Sequence, residues 1–150
     1  MMMKLEPRNS LFVYGTLMAP PVIQTLLGRV PPHGTALLPH YRRHPVRNQV
    51  YPGMIFEKGA MTQGILYYGL TPKEIARLDW FEDVEYTRRP VIVTMDAKET
   101  ATETYVWTNP LSELQLDAEW SIEDFSQTHL TRFLEQTVQP CCIRLEREGL

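Results

Sequence analysis

The chain of 150 residues holds 15 Lys and Arg against 18 Asp and Glu, a formal net charge of −3 that leaves no electrostatic footprint for nucleic acid. Its 43% hydrophobic and 22% charged residues match an ordinary globular domain, and no apolar run is long enough to cross a bilayer. The adjacent Cys141 and Cys142 cannot form the spaced disulfide framework of a secreted mini-protein, so a soluble, single-domain, cytoplasmic protein is expected.

Leu11-Phe12-Val13-Tyr14-Gly15-Thr16-Leu17 reads as a buried strand that stops at a glycine. Gly15 can take a positive φ, and the amides of Gly15, Thr16 and Leu17 can then converge as an anion site. A plain strand-to-helix turn with a packing glycine explains the same residues. Pro20 to Gly28 has prolines at its start and glycine at its end, the asymmetry of a short helix, with Val22, Ile23, Leu26 and Leu27 on one face. Extended segments follow over 35–38 and 41–47 with a kink at Pro39-His40. The second of these carries a basic run, readable as a solvated strand edge or a phosphate patch. Tyr51-Pro52-Gly53 and Glu57-Lys58-Gly59 read as turns around a short strand, Met54-Ile55-Phe56. Residues 62–70 predict a long central strand bent at Gly64.

Thr71-Pro72-Lys73-Glu74 predicts a helix start with a capping box. Two strands, 87–95 and 102–108, should form a hairpin through Asp96-Ala97-Lys98-Glu99. Ser121 to Thr137 predicts a last helix with Ile122, Phe125, His129, Phe133 and Leu134 on its inner face, capped by Ser121 and Asp124. Many strands, few helices and no βαβ alternation give an α+β fold. His33, His40, His44 and His129 are scattered without metal-ligand spacing, and no P-loop, serine elbow or dinucleotide motif is present.

Within the helix from Pro72, Ile75, Leu78 and Glu82 share one side, so a carboxylate occupies a place where the pattern calls for a buried aliphatic residue. Desolvation would raise its pKa from ~4.3, as a general base working near neutral pH requires. Alternatively the helix ends at Trp80 and Glu82 pairs with Arg88 or Arg89. Asp79, Asp83 and Glu85 nearby suit either a solvated helix end or, less directly, a two-carboxylate glycosidase.

Phe12-Val13-Tyr14-Gly15-Thr16-Leu17 and the downstream Leu78-Asp79-Trp80-Phe81-Glu82 with Tyr86-Thr87-Arg88, at this separation, resemble the γ-glutamylcyclotransferase-like superfamily, in its avirulence-induced-gene (AIG2-like) branch. Tyr51-Pro52-Gly53-Met54, the 64–67 strand and Tyr105-Val106-Trp107 support the likeness. The resemblance implies a small mixed β-barrel flanked by helices over 11–108, after an N-terminal extension (1–10). A C-terminal helical extension (109–150) should pack outside. It also implies an acyltransferase that turns a small γ-glutamyl amide into 5-oxoproline and a free amine, needing neither metal nor organic cofactor. Glu82 would be the catalytic acid/base, and Tyr14, Gly15, Thr16, Leu17, Met18 and Ala19 the substrate-binding loop. A catalytically idle small-ligand or protein-binding module on the same fold is the alternative.

Overall fold

The computed structural model describes residues 9–150; most of the expected N-terminal extension, residues 1–8, lies outside the described residues. Five strands close into a barrel: β1 (Leu11–Val13), β2 (His33–Pro45), β3 (Pro52–Tyr67), β4 (Tyr86–Met95) and β5 (Lys98–Trp107), in the spatial order β1-β3-β2-β4-β5. Neighbours run antiparallel except β1 and β5, which meet in parallel at Phe12 and Thr104 and complete the ring. Side chains alternate across a strand, so the strands feed two separate cores. Phe12, Tyr14, Leu38, Met54, Leu66 and Val93 pack on one another within the barrel. Leu11, Val13 and Tyr67 point the other way, onto helices α1 (Pro20–Leu27) and α2 (Pro72–Glu82). At ~1.5–3 kcal/mol per fully buried large apolar side chain, the short β1 is held from both sides.

Local punctuation misleads in the long hairpin. Pro52-Gly53 and Glu57-Lys58-Gly59 both lie inside β3, a single strand of 16 residues. The chain reverses earlier, over 46–51, where Asn48 takes φ 64°. At the second place the strand bends without reversing. The pairing register shifts between Pro39 and Tyr41, with His40 at φ 68° and Gly59 at φ 86°, and the Gly59 N–H donates to His40 Nδ1 at 3.0 Å. The expected kink at Pro39-His40 is therefore one half of a paired bend, which a bulge produces without breaking the ladder.

The basic run is built into this hairpin, with Arg42 and Arg47 toward solvent and Arg43 and His44 drawn inward. His44 is buried with Nδ1 2.8 Å from the Ala118 carbonyl, and Arg42 pairs with Glu57. Arg43 reaches inward, its Nη1 donating to the carbonyls of Tyr14 and Gln63, both at 2.8 Å.

The C-terminal part is longer and more broken than the pattern predicts. α3 (Ile122–Thr128), α4 (Leu130–Phe133), a π turn (Leu134–Val138) and α5 (Gln139–Arg147) follow one another. Ser121 caps as expected, its Oγ accepting the Asp124 N–H at 3.2 Å. Phe125 and Phe133 join the core of Leu11 and Val13, as do Val138, Cys141 and Leu145 beyond the expected end, whereas His129 is exposed. A proline inside a helix removes one donor of the hydrogen-bond ladder. Here the π turn loosens the hydrogen-bond ladder just before Pro140, and the proline stands at the second position of α5, where its missing N–H is tolerated. Among the described residues no helix is long and apolar enough to cross a membrane.

Candidate active site

A cavity of about 210 Å³ opens where the C-terminal end of α2, the segment leaving β1 and the C-terminal helices meet. Each wall follows from local sequence. Thr71 and Glu74 close a reciprocal capping box and Pro72 sits in the first turn, which fixes the helical phase of α2. That phase buries Ile75 and Leu78, and one turn further on the same face it delivers Glu82 to the cavity. The helix ends at once. Asp83 takes φ 60° and ψ −157°, a conformation natural to glycine that costs a residue with a Cβ ~1–3 kcal/mol.

Burial pushes the Glu82 carboxyl up to about 8, and the charges of Glu85 and Asp79 add to the effect. It also sits at the negative end of a helix dipole, which disfavours the ionised form. Among the described residues no hydrogen bond or ion pair reaches it. Arg88 is engaged elsewhere, its Nη1 2.9 Å from Glu103 Oε1 and its Nε 3.2 Å from Asp79 Oδ1, and Arg89 is exposed. The salt-bridged reading of Glu82 is thereby overturned. Asp79 also accepts the Tyr105 hydroxyl at 2.6 Å, so with its Arg88 contact it is tied down from two sides.

Opposite Glu82, the sequence-predicted loop divides. Gly15, Thr16 and Leu17 line the cavity, and among the described residues their N–H groups have no acceptor. Met18 and Ala19 do not line it: their N–H groups are used within a 3-10 turn, on the carbonyls of Gly15 at 3.0 Å and Thr16 at 3.1 Å. Tyr14 lines the cavity yet sends its ring into the barrel core, where its hydroxyl donates to the Tyr105 carbonyl at 2.7 Å. Burial raises that phenol's pKa well above the ordinary value, with the Glu82 charge second.

Gly15 does not take a positive φ; it sits at φ −123°. The reason for glycine is close approach, since an added Cβ would meet Pro52 Cγ at 2.9 Å. The Arg43 guanidinium holds the carbonyl of the same peptide whose nitrogen is Gly15 N. Hydrogen bonding at one end of a peptide polarises it and strengthens the donor at the other.

The pattern analysis misses most of the remaining wall. Tyr51, Tyr86 and Tyr105 line it, with Tyr51 OH donating to Glu85 at 3.2 Å and Tyr86 OH to the Pro52 carbonyl at 2.7 Å. Phe133, Thr137, Cys141 and Arg144 complete it from the C-terminal helices. The signal for these last four is their spacing of four, four and three, one helical face, hidden by the apparent stop at Pro140.

The family described as Gamma-glutamyl cyclotransferase, AIG2-like, matches residues 11–126. The chain belongs to this family. AIG2-like protein D of Arabidopsis thaliana is 38% identical over 132 residues, 86% of this chain and 86% of the relative. AIG2-like protein C of the same plant is 37% identical over 129 residues, 85% of this chain and 74% of the relative. The solution structure of an Arabidopsis thaliana protein superposes with a TM-score of 0.67 at 28% identity, over 87% of this chain and 88% of that one. A structure described as Gamma-glutamyl cyclotransferase superposes at 0.59 and 18% identity, over 67% of this chain and 66% of that one, a likeness of fold.

Proposed function

We propose that the chain is a γ-glutamylcyclotransferase, an acyltransferase that closes a small γ-glutamyl amide into 5-oxoproline and releases a free amine. The observation that carries this reading is the Glu82 carboxyl, pushed up to about 8, in one cavity with the N–H groups of Gly15, Thr16 and Leu17, none of the four having a partner among the described residues.

With no opposite charge beside it, Glu82 is mostly protonated at neutral pH. A substrate α-ammonium beside it favours the carboxylate, because an opposite charge lowers a carboxyl pKa. Glu82 then takes a proton from the ammonium, and the freed amine attacks the γ-carbonyl carbon. The carbonyl oxygen gains negative charge, and the amides of the 15–17 turn donate to it; one such donor is typically worth ~3–4 kcal/mol. As the amide C–N bond breaks, the proton on Glu82 passes to the leaving nitrogen; Glu82 then takes the second proton that the ring nitrogen must shed and hands it to the released amine, which departs as an ammonium. One bond forms and one breaks, with no water consumed. Unpaired thiols at Cys141 and Cys142 suit a reducing, cytoplasmic setting.

The test is to incubate the protein with γ-glutamyl amino acids, γ-glutamyl amines and γ-glutamyl-ε-lysine and to assay the products. Release of 5-oxoproline with the matching amine is expected. Free glutamate instead would show hydrolysis, and ligand binding without turnover would show a binding module; either result rejects the cyclotransferase reading.

A further inference from the structure

We infer that Arg43 is a positioning residue for the proposed reaction: its guanidinium, acting through the Tyr14–Gly15 peptide, aims and polarises the Gly15 N–H that meets the developing oxyanion. This role rests on the cyclotransferase reading and adds to it a residue that does not line the cavity.

The last residues that β1 pairs with β3 are Val13 and Ile65. Beyond them the chain leaves the sheet, and Arg43 of β2 spans the gap. A guanidinium Nη carries two hydrogens, and Arg43 Nη1 donates to both the Tyr14 and the Gln63 carbonyl at 2.8 Å. One nitrogen thus ties the start of the 14–17 turn to the body of the barrel. No peptide bond of the described residues is cis, and in a planar trans peptide the N–H and C=O point in opposite directions. With its oxygen held by Arg43, the Tyr14–Gly15 peptide turns its N–H away from the guanidinium, and no described residue accepts it. Gly15 lines the cavity and Arg43 does not.

A neutral donor could satisfy two carbonyls at less cost, because a buried charge is expensive unless it is paired. No carboxylate of the described residues lies within ion-pair distance of Arg43, and its Nε is buried without an acceptor. Burial pushes the guanidinium below its ordinary pKa, opposed by the more distant charges of Glu119 and Glu123. The neighbouring Arg42 differs, since its charge is spent on Glu57 and Glu119. What an unpaired cation adds at Tyr14 is polarisation. A charged donor on the carbonyl draws electron density along the amide and makes the N–H at its other end a stronger donor. That gain grows as negative charge builds on the substrate oxygen, so it acts on the transition state more than on the bound substrate.

The test compares Arg43→Gln, Arg43→Lys and Arg42→Gln with the wild type on the γ-glutamyl compound that the wild type turns over fastest. Three readouts are followed: 5-oxoproline release, melting temperature and the Gly15 amide resonance of protein carrying nitrogen-labelled glycine. In Arg43→Gln kcat should fall about tenfold to a hundredfold, less than the roughly 10²–10³ lost with a whole oxyanion donor, with KM changed less than about threefold. The Gly15 amide proton should move upfield as its peptide loses polarisation. Arg43→Lys, which keeps charge and donors, should recover much of both, and Arg42→Gln, which removes an equal charge next door, should change neither. An unchanged kcat in folded Arg43→Gln overturns the inference. So does a fall in kcat that leaves the Gly15 resonance in place or merely follows the melting temperature across the variants, as loss of a structural brace would. If the wild type forms no 5-oxoproline from any compound, the cyclotransferase reading fails, and titration with γ-glutamylalanine decides what is left. A Gly15 shift on titration that Arg43→Gln abolishes keeps Arg43 as the group that charges the turn; no shift, or an equal one in both proteins, overturns that too.

Discussion

Two glutamates mark the ends of α2 and meet opposite fates. Glu74, in the first turn, is buried but fully partnered: Arg29 Nε and Nη2 donate to it at 2.8 and 2.7 Å, and it accepts the Thr71 N–H at 3.0 Å. The Arg29 hydrogen bonds hold its carboxyl below the usual range. Glu82, eight residues later, has no partner among the described residues and is pushed up to about 8, chiefly by desolvation. The helix dipole acts in the same directions, favouring the negative charge at the start and opposing it at the end. Burial by itself decides nothing about a carboxylate. What differs is whether the fold supplies donors, and here it supplies them at the structural end and withholds them at the cavity end.

The sharpest way to break this comparison is to neutralise each acid in turn. Glu82→Gln should lower turnover by roughly 10²–10⁴ while leaving the protein no less stable, as assays of 5-oxoproline and thermal melts will show. Glu74→Gln should do the reverse, keeping turnover but losing about 1–2 kcal/mol, since a cap and a partly exposed ion pair are weakened together. Equal effects from the two substitutions would remove the distinction.

Next in size is the donor side facing Glu82. Gly15→Val should cut turnover by about tenfold to a hundredfold in a folded protein, because its side chain collides with Pro52 and displaces the 15–17 amides. Pro52→Ala in the same molecule should restore part of the loss, which measured kcat and melting curves can establish.

A smaller effect lies in stability against pH. Glu82 has a raised folded-state pKa, so its contribution is full below the unfolded value near 4.5 and is lost as pH rises toward about 8. Glu74 has a lowered one, so its contribution is present above about 4.5 and is lost as pH falls through the folded value. Denaturation midpoints should show Glu82→Gln gaining on the wild type between pH 5 and 9, and Glu74→Gln converging with it only in acid. The smallest expected change is Asp83→Gly. Relief of the positive φ after Glu82 should add up to about 1 kcal/mol, readable as a rise in melting temperature.

Much of this was legible in the sequence because it is local. The capping box at Thr71, the prolines and glycine bounding α1, the Asp96-Ala97 hairpin and the phase that puts Glu82 on the Ile75–Leu78 face all depend on residues a few positions apart. What the residues left open was whether Glu82 is paired, and that turned on β-strand geometry far from it: β4 and β5 bring Glu103 to Arg88, and Arg88 is thereby engaged away from Glu82. The reason for a glycine at 15 is equally non-local, since the atom that excludes a Cβ belongs to Pro52, far along the chain but packed directly against it. Glu57-Lys58-Gly59 has a turn's composition but continues as strand because the bend at His40 on the paired strand matches it. The last wall of the cavity was hidden for a related reason. A proline stops an isolated helix, but Val138, Cys141 and Leu145 bury apolar surface on the same core as Leu11 and Val13, and that tertiary packing carries the helix past Pro140 and sets Arg144 at the rim.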